Sequence, residues 1–228
     1  MNNKSISTPC FNFVLFAMLI VISLQSCVSP RDASIREWEK HEWQLVKVDK
    51  NDEPTWTIYK RKLVGTNFLE YKIEGDIKSS PQACISAFRR DIHNQADNLK
   101  NKKYPTYEIV DESKDSLLTY AIHNEPFPFK DTEMSVRYHF SRDIESKVEE
   151  VKWKEAWDEN SVPPLSKKLS RVQTFRGAWN FSPVSINHCK AVNIIQFNPK
   201  KMPNWLVQPM VANFLKKGLE DIREMTSE

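Results

Sequence analysis

Leu69, Tyr71 and Ile73 alternate with Glu70, Lys72 and Glu74, and the same two-residue rhythm returns along much of the chain. Successive side chains of an extended strand point to opposite faces, so such a run asks for one buried face and one wet face. Trp56 and Ile58 lead a similar run into Lys60. Further strands are expected at residues 44–49, 106–111, 116–124, 133–142, 148–157, 170–181 and 189–197. Many short strands with one wet face predict an antiparallel meander whose apolar face needs a cover.

Two segments of helical period supply that cover. Ser80-Pro81 is a strong helix start, with serine as the cap and proline at the first helical position. Cys84, Ile85, Phe88 and Ile92 follow at helical spacing. Near the end of the chain, Val207, Val211, Phe214, Gly218, Ile222 and Met225 form one stripe, with Lys216, Lys217, Glu220 and Arg223 elsewhere. Pro209 falls early in this second helix and should either kink it or mark its start. Counting one further helix ahead of the first strand, the order is helix, strands, helix, many strands, long helix. That order predicts one α+β domain in which a curved antiparallel sheet wraps the terminal helix.

Several function classes are disfavoured by simple counts. The chain has 228 residues, enough for one ordinary domain with a full core, and 33 basic against 30 acidic side chains give a net charge of +3. Such a balance gives no case for nucleic-acid binding. Only four glycines occur, Gly65, Gly75, Gly177 and Gly218, too far apart for a dinucleotide fingerprint, a phosphate loop or a nucleophile elbow. His41, His93, His123, His139 and His188 show no close ligand spacing, so no metal site is expected. Cys84 and Cys189 are far apart in sequence and read as two buried free thiols.

The N-terminus reads as an address. Lys4 precedes an apolar run from Phe13 to Ile22, about half the length of roughly 20 residues that a membrane span needs. Leu24-Gln25-Ser26-Cys27 then resembles the lipobox of bacterial lipoproteins. The resemblance implies a signal peptide over residues 1–26, a lipid-attachment site at Cys27, and a polar tether over 27–35 ahead of the domain at 36–228. It implies anchoring in the bacterial cell envelope through acyl chains. Val28, in place of an aspartate retention signal, favours the outer membrane. An ordinary secretory signal that happens to end near a cysteine is the alternative.

Two motifs in the body carry a second resemblance. Pro126-Phe127-Pro128-Phe129 precedes a strand that contains Arg137, and Asn198-Pro199 is followed by Met202-Pro203-Asn204-Trp205-Leu206 at the start of the last helix. Over roughly residues 36 to 225, with both motifs in order, the chain resembles the START (steroidogenic acute regulatory protein-related lipid-transfer) domain family. Its branch containing phosphatidylcholine transfer protein is the most similar. The resemblance implies the helix-grip fold, shared with Bet v 1-like proteins, and a tunnel for one lipid between sheet and helix. The expected partner is therefore a lipid or other hydrophobic small molecule, bound by a monomer without cofactor or catalysis, with transfer between membranes as an open extension of binding.

Arg137 matches a family strand arginine that in some members meets a polar ligand group. Strand alternation, however, sets Arg137 and His139 on the face opposite Met134, Val136, Tyr138 and Phe140. The inner face is preferred slightly for Arg137. Tyr120, Trp153, Trp179, Phe181 and His139 are the further candidates for the cavity wall. Thr132 and Glu133 stand where many members carry an Arg-Asp pair, and Leu118, Tyr120 and Ile122 stand where sterol-binding members carry an acid. The resemblance therefore carries over neither phosphatidylcholine nor sterol. Two other classes stay open: a cavity enzyme of the helix-grip superfamily (a cyclase or hydrolase) using His123 or His139, and an envelope lipoprotein with a filled core and a protein partner.

Overall fold

The computed structural model describes residues 40–51, 55–125, 130–159, 162–164, 168–198 and 204–227. The signal segment, Cys27 and the tether, the helix expected ahead of the first strand, the Pro126–Phe129 motif, and Pro199, Met202 and Pro203 of the second motif lie outside them.

The chain opens with β1 (Gln44–Val48), β2 (Trp56–Lys62) and β3 (Leu69–Ile77), passes through helix α1 (Pro81–Asp97), and continues with β4 (Thr106–Glu112), β5 (Ser116–His123), β6 (Thr132–Arg142) and β7 (Glu149–Glu155). A two-residue strand β8 (Ser170–Arg171), then β9 (Arg176–Ser185), β10 (His188–Phe197) and the terminal helix α2 (Asn204–Thr226) complete it. The single strand expected over 170–181 is thus two. Residues 172–175 leave the sheet, and β9 runs on to Ser185. All other expected strands form, shifted by a residue or two at their ends.

One sheet takes the order β1-β2-β3-β10-β9-β7-β6-β5-β4, with β8 lying parallel to the start of β6. Every other pairing is antiparallel. The sheet curves around α2, and its inner face carries Ile58, Ile73, Tyr71, Ile195, Val151 and Val136, all buried. This is the α+β helix-grip architecture that the periodicity and the resemblance both anticipate.

Local chemistry sets the helices. The Ser80 hydroxyl caps α1 by accepting from the Ala83 N–H at 3.2 Å, and Pro81 occupies the first turn, where no N–H is needed. α2 begins at Asn204 and runs on through Pro209, which lies past the first turn and so supplies no N–H to the carbonyl four residues before it. The C-terminal half of α2 sits hard against the sheet. A Cβ at Gly75 would lie 2.6 Å from Leu219 Cδ2 and 2.9 Å from the Thr55 carbonyl, so only glycine allows that approach. Arg223 then donates to the Thr55 and Asp76 carbonyls at 2.7 and 2.8 Å. Toward the other end, Lys60 on β2 donates to Gln208 at 2.7 Å.

Cys84 on α1 and Cys189 on β10 are both fully buried and free, with their sulfurs 3.6 Å apart. The contact with the Cys189 sulfur, and then burial, push the Cys84 thiol well above its ordinary range. Sequence distance hid this contact; the fold brings the thiols together where α1 crosses the sheet.

Candidate functional site

Between α1, α2 and the centre of the sheet lies a cavity of about 60 Å³. Helix α1 contributes Phe88, Asp91, Ile92 and Gln95, and α2 contributes Phe214 and Gly218. The sheet contributes Tyr107 of β4, Met134 and Tyr138 of β6, Trp153 of β7, Trp179 of β9 and Asn193 of β10, with Tyr104 and Phe175 from adjoining loops. The walls are aromatic for the most part. Phe88 stacks on Trp153 with ring centres 6.2 Å apart and meets Tyr138 edge-on at 5.9 Å.

Two glycines shape this space in different ways. Gly177 faces Trp153 across the β7–β9 pair, and a Cβ there would fall 2.3 Å from the indole Cζ2 and 2.6 Å from the Ile194 carbonyl. The indole ring therefore rests on bare backbone. Gly218 is the opposite case, because a Cβ there would meet only Trp179, at an ordinary 3.6 Å. Glycine costs a helix interior about 1 kcal/mol relative to alanine, and packing does not demand it at this position.

The polar groups of the wall fall into two sets. In the first they satisfy one another. The Tyr107 and Tyr138 hydroxyls lie close to each other and to Thr119, and Asp91 lies close to Gln95. Burial, then the charge of Asp221 on α2, pushes the Asp91 carboxyl up to about 7. In the second set, Asn193 Oδ1 and Trp153 Nε1 are buried without a hydrogen-bond partner. No lysine, arginine or histidine is among the described lining residues.

Trp153 and Trp179, expected on the wall, line the cavity. Phe181 is fully buried and stacks on Trp179 at 5.4 Å, but it stands behind the wall rather than in it.

The slight preference for an inward Arg137 is corrected, and so are the placements of Tyr120 and His139. Met134 and Tyr138 of β6 face the cavity, so the pleat turns Arg137 and His139 to the other side. Arg137 donates there to both Glu159 carboxylate oxygens, to Asp111 at 2.8 Å and to Ser116 at 3.1 Å. A bulge between Ile109 and Asp111 in β4 helps build this cluster, because the extra residue turns Asp111 outward, beside Leu118 and hence Arg137. On the same outer face, Tyr120 donates to Glu133 at 3.0 Å and Arg171 donates to the other oxygen of Glu133 at 2.9 Å. His139 is exposed. His123 is buried on the inner face, with Nδ1 3.1 Å from Glu125 and its ring against Tyr104, but it does not line the cavity.

Asp91, Gln95 and Asn193 were not anticipated as site residues, although the sequence carried a signal for each. Asp91 and Gln95 continue the helical stripe begun by Cys84 and Phe88, and Asn193 sits between Ala191 and Ile195 on an apolar strand face. A polar residue inside an apolar period is the trace such a site leaves. Among the described residues, no three His, Cys, Asp or Glu side chains come together in a group able to hold a metal ion.

No protein-family profile matches the chain, and neither does any of the curated proteins. Solved structures do. A STAR-related lipid transfer protein from Xanthomonas axonopodis superposes with a TM-score of 0.63 at 16% identity, over 82% of this chain and 99% of that one. The lipid transfer and protein localization domain of human StarD13 gives 0.60 at 12% identity, over 81% of this chain and 89% of that one. Human StAR-related lipid transfer protein 5 gives 0.59 at 9% identity, covering 81% and 86%. Identities this low speak to architecture, and over the matched part the architecture agrees: the chain has the helix-grip fold of the START-type domains.

Proposed function

We propose that this protein binds a single lipid or other hydrophobic molecule in the cavity between its sheet and its terminal helix, and that it does so as an envelope lipoprotein anchored through Cys27. The observation that carries the reading is Gly218. A helix interior keeps a costly glycine where space is needed, and here that space adjoins a wall of Phe88, Trp153, Phe175, Trp179 and Phe214. The named relatives in lipid transfer support the same reading by fold. A volume of about 60 Å³ is below the roughly 300–1,000 Å³ of sites for drug-sized ligands, so loading widens the cavity. The described wall is mainly aromatic, and we read the protein as a binder rather than an enzyme.

The experiment is native mass spectrometry and solvent extraction of the full chain, beside Gly218→Leu. The wild-type chain should carry one hydrophobic molecule at near one-to-one. Gly218→Leu, which fills the space from the helix side, should lose that molecule and keep its thermal transition. Equal occupancy in the two proteins would place the ligand elsewhere. The Cys27→Ala chain should lack the acyl mass and leave the membrane fraction.

A further inference from the structure

We infer that the ligand meets this cavity with an uncharged, hydrogen-bonding end, a hydroxyl or a primary amide, read by Asn193 and Trp153. This rests on the binding reading above and adds the chemical class of the ligand.

Most polar groups of the wall are already committed. Tyr107 and Tyr138 have each other and Thr119 as close polar neighbours, and Asp91 has Gln95. Two polar atoms are left. Asn193 Oδ1 is an acceptor on a side chain only 3% exposed, and Trp153 Nε1 is a donor on one 6% exposed; neither has a partner. An unmade hydrogen bond at a buried polar atom costs about 1–3 kcal/mol, so the pair favours a group that both donates and accepts. A hydroxyl and a primary amide do both, whereas a hydrocarbon does neither.

Charge is disfavoured on separate grounds. No cationic side chain lines the described wall, and the carboxyl group that does, Asp91, is an acid. Lys217 of α2, whose charge reaches Asp91, is bound to Asp221 at 2.7 Å. Arg137, the residue best suited to an anion by its chemistry, faces the opposite side and is held by Glu159 and Asp111. A phosphate or carboxylate moved into these surroundings would lose its hydration and gain no counter-charge.

The test uses the full chain and ligands of one chain length that differ only at the end: dodecanol, dodecanamide, laurate, dodecyl phosphate and dodecane, delivered from cyclodextrin near neutral pH. Binding is followed by tryptophan emission and by native mass spectrometry. Dodecanol and dodecanamide should bind at least about tenfold more tightly than laurate and dodecyl phosphate, and about fivefold more tightly than dodecane, as one net hydrogen bond allows. Asn193→Leu should remove the advantage of the alcohol and the amide over dodecane. Anions binding as well as the alcohol would overturn the inference. So would dodecane binding as well as the alcohol, which would mean that water serves the two polar atoms. In both of those cases hydrophobic binding itself survives. Failure of all five ligands would remove the binding reading along with the inference. The wild-type series decides the matter even if the variant does not fold.

Discussion

The two faces of β6 share one backbone and present opposite chemistries. Inward, Met134 and Tyr138 meet rings and a largely aromatic wall. Outward, Glu133 and Arg137 sit in ion-pair clusters with Arg171, Glu159 and Asp111. The two sets alternate residue by residue. The strand therefore separates a space suited to a hydrophobic guest from a charged scaffold that braces the sheet from behind. Electrostatic strength on the outside does not imply a binding role inside. An arginine within a few ångströms of the cavity wall in sequence terms is, by parity, on the far side of the sheet.

The comparison can be broken first at its buried charge. Glu133 is fully buried and relies on Arg171, so Arg171→Leu should lower stability by about 3–5 kcal/mol in urea denaturation. The ligand occupancy of the chains that remain folded should not change. A loss of occupancy without a loss of stability would put the outer face in the site. Next in size is Gly177→Ala on the inner face, where a Cβ 2.3 Å from the Trp153 ring should cost about 2–3 kcal/mol and alter ligand uptake together with stability.

Asp91 sharpens the comparison through pH. Its carboxyl is raised from 3.8 to about 7, chiefly by burial and then by Asp221. The folded chain thus holds this proton more tightly than the unfolded chain does. The resulting stabilisation is fully present below about pH 4 and is lost as pH rises through about 7. Asp91→Asn should leave the thermal transition little changed at the acid end and raise it above neutrality. A residual slope should remain from Asp221, which burial also raises. Parallel wild-type and variant profiles would exclude Asp91 as the titrating group. The smallest effect is expected for Arg137→Leu. Its partners Glu159 and Asp111 are partly or largely solvated, so about 1 kcal/mol should be lost, with ligand occupancy intact. Lower occupancy would return Arg137 to the cavity.

Much of this fold was legible in the chain because period and burial coincide. The Ser80-Pro81 start, the alternation around Tyr71 and the stripe from Val207 to Ile222 each name an element and its buried side. The division of residues 170–181 was not legible, since Val172 and Phe175 continue an apolar pattern while the backbone leaves the sheet. At the site, Trp153 and Trp179 could be found because large rings on an inward face have few other places to go. Arg137 was misplaced by its likeness to a residue of the START family, even though the neighbours Val136 and Tyr138 already pointed the apolar face inward. The bulge at Ile109–Asp111 and the meeting of Cys84 with Cys189 depend on pairings between distant segments, which no local period encodes.

The place of β10 in the sheet has a consequence for the order of assembly. The strands β1–β3 and the strands from β4 to β9 join only through β10, which pairs Leu69 with Phe197 and Ile77 with Cys189. Contacts so distant in sequence close late, since the loop entropy must be overcome before they stabilise anything. β10 and α2 are also the last described elements to leave the ribosome. Until then the earlier strands present an unpaired edge and an uncovered apolar face, the usual conditions for aggregation or chaperone capture. Asn193, Phe214 and Gly218 all arrive with these two elements, so the cavity is enclosed only once β10 and α2 have docked.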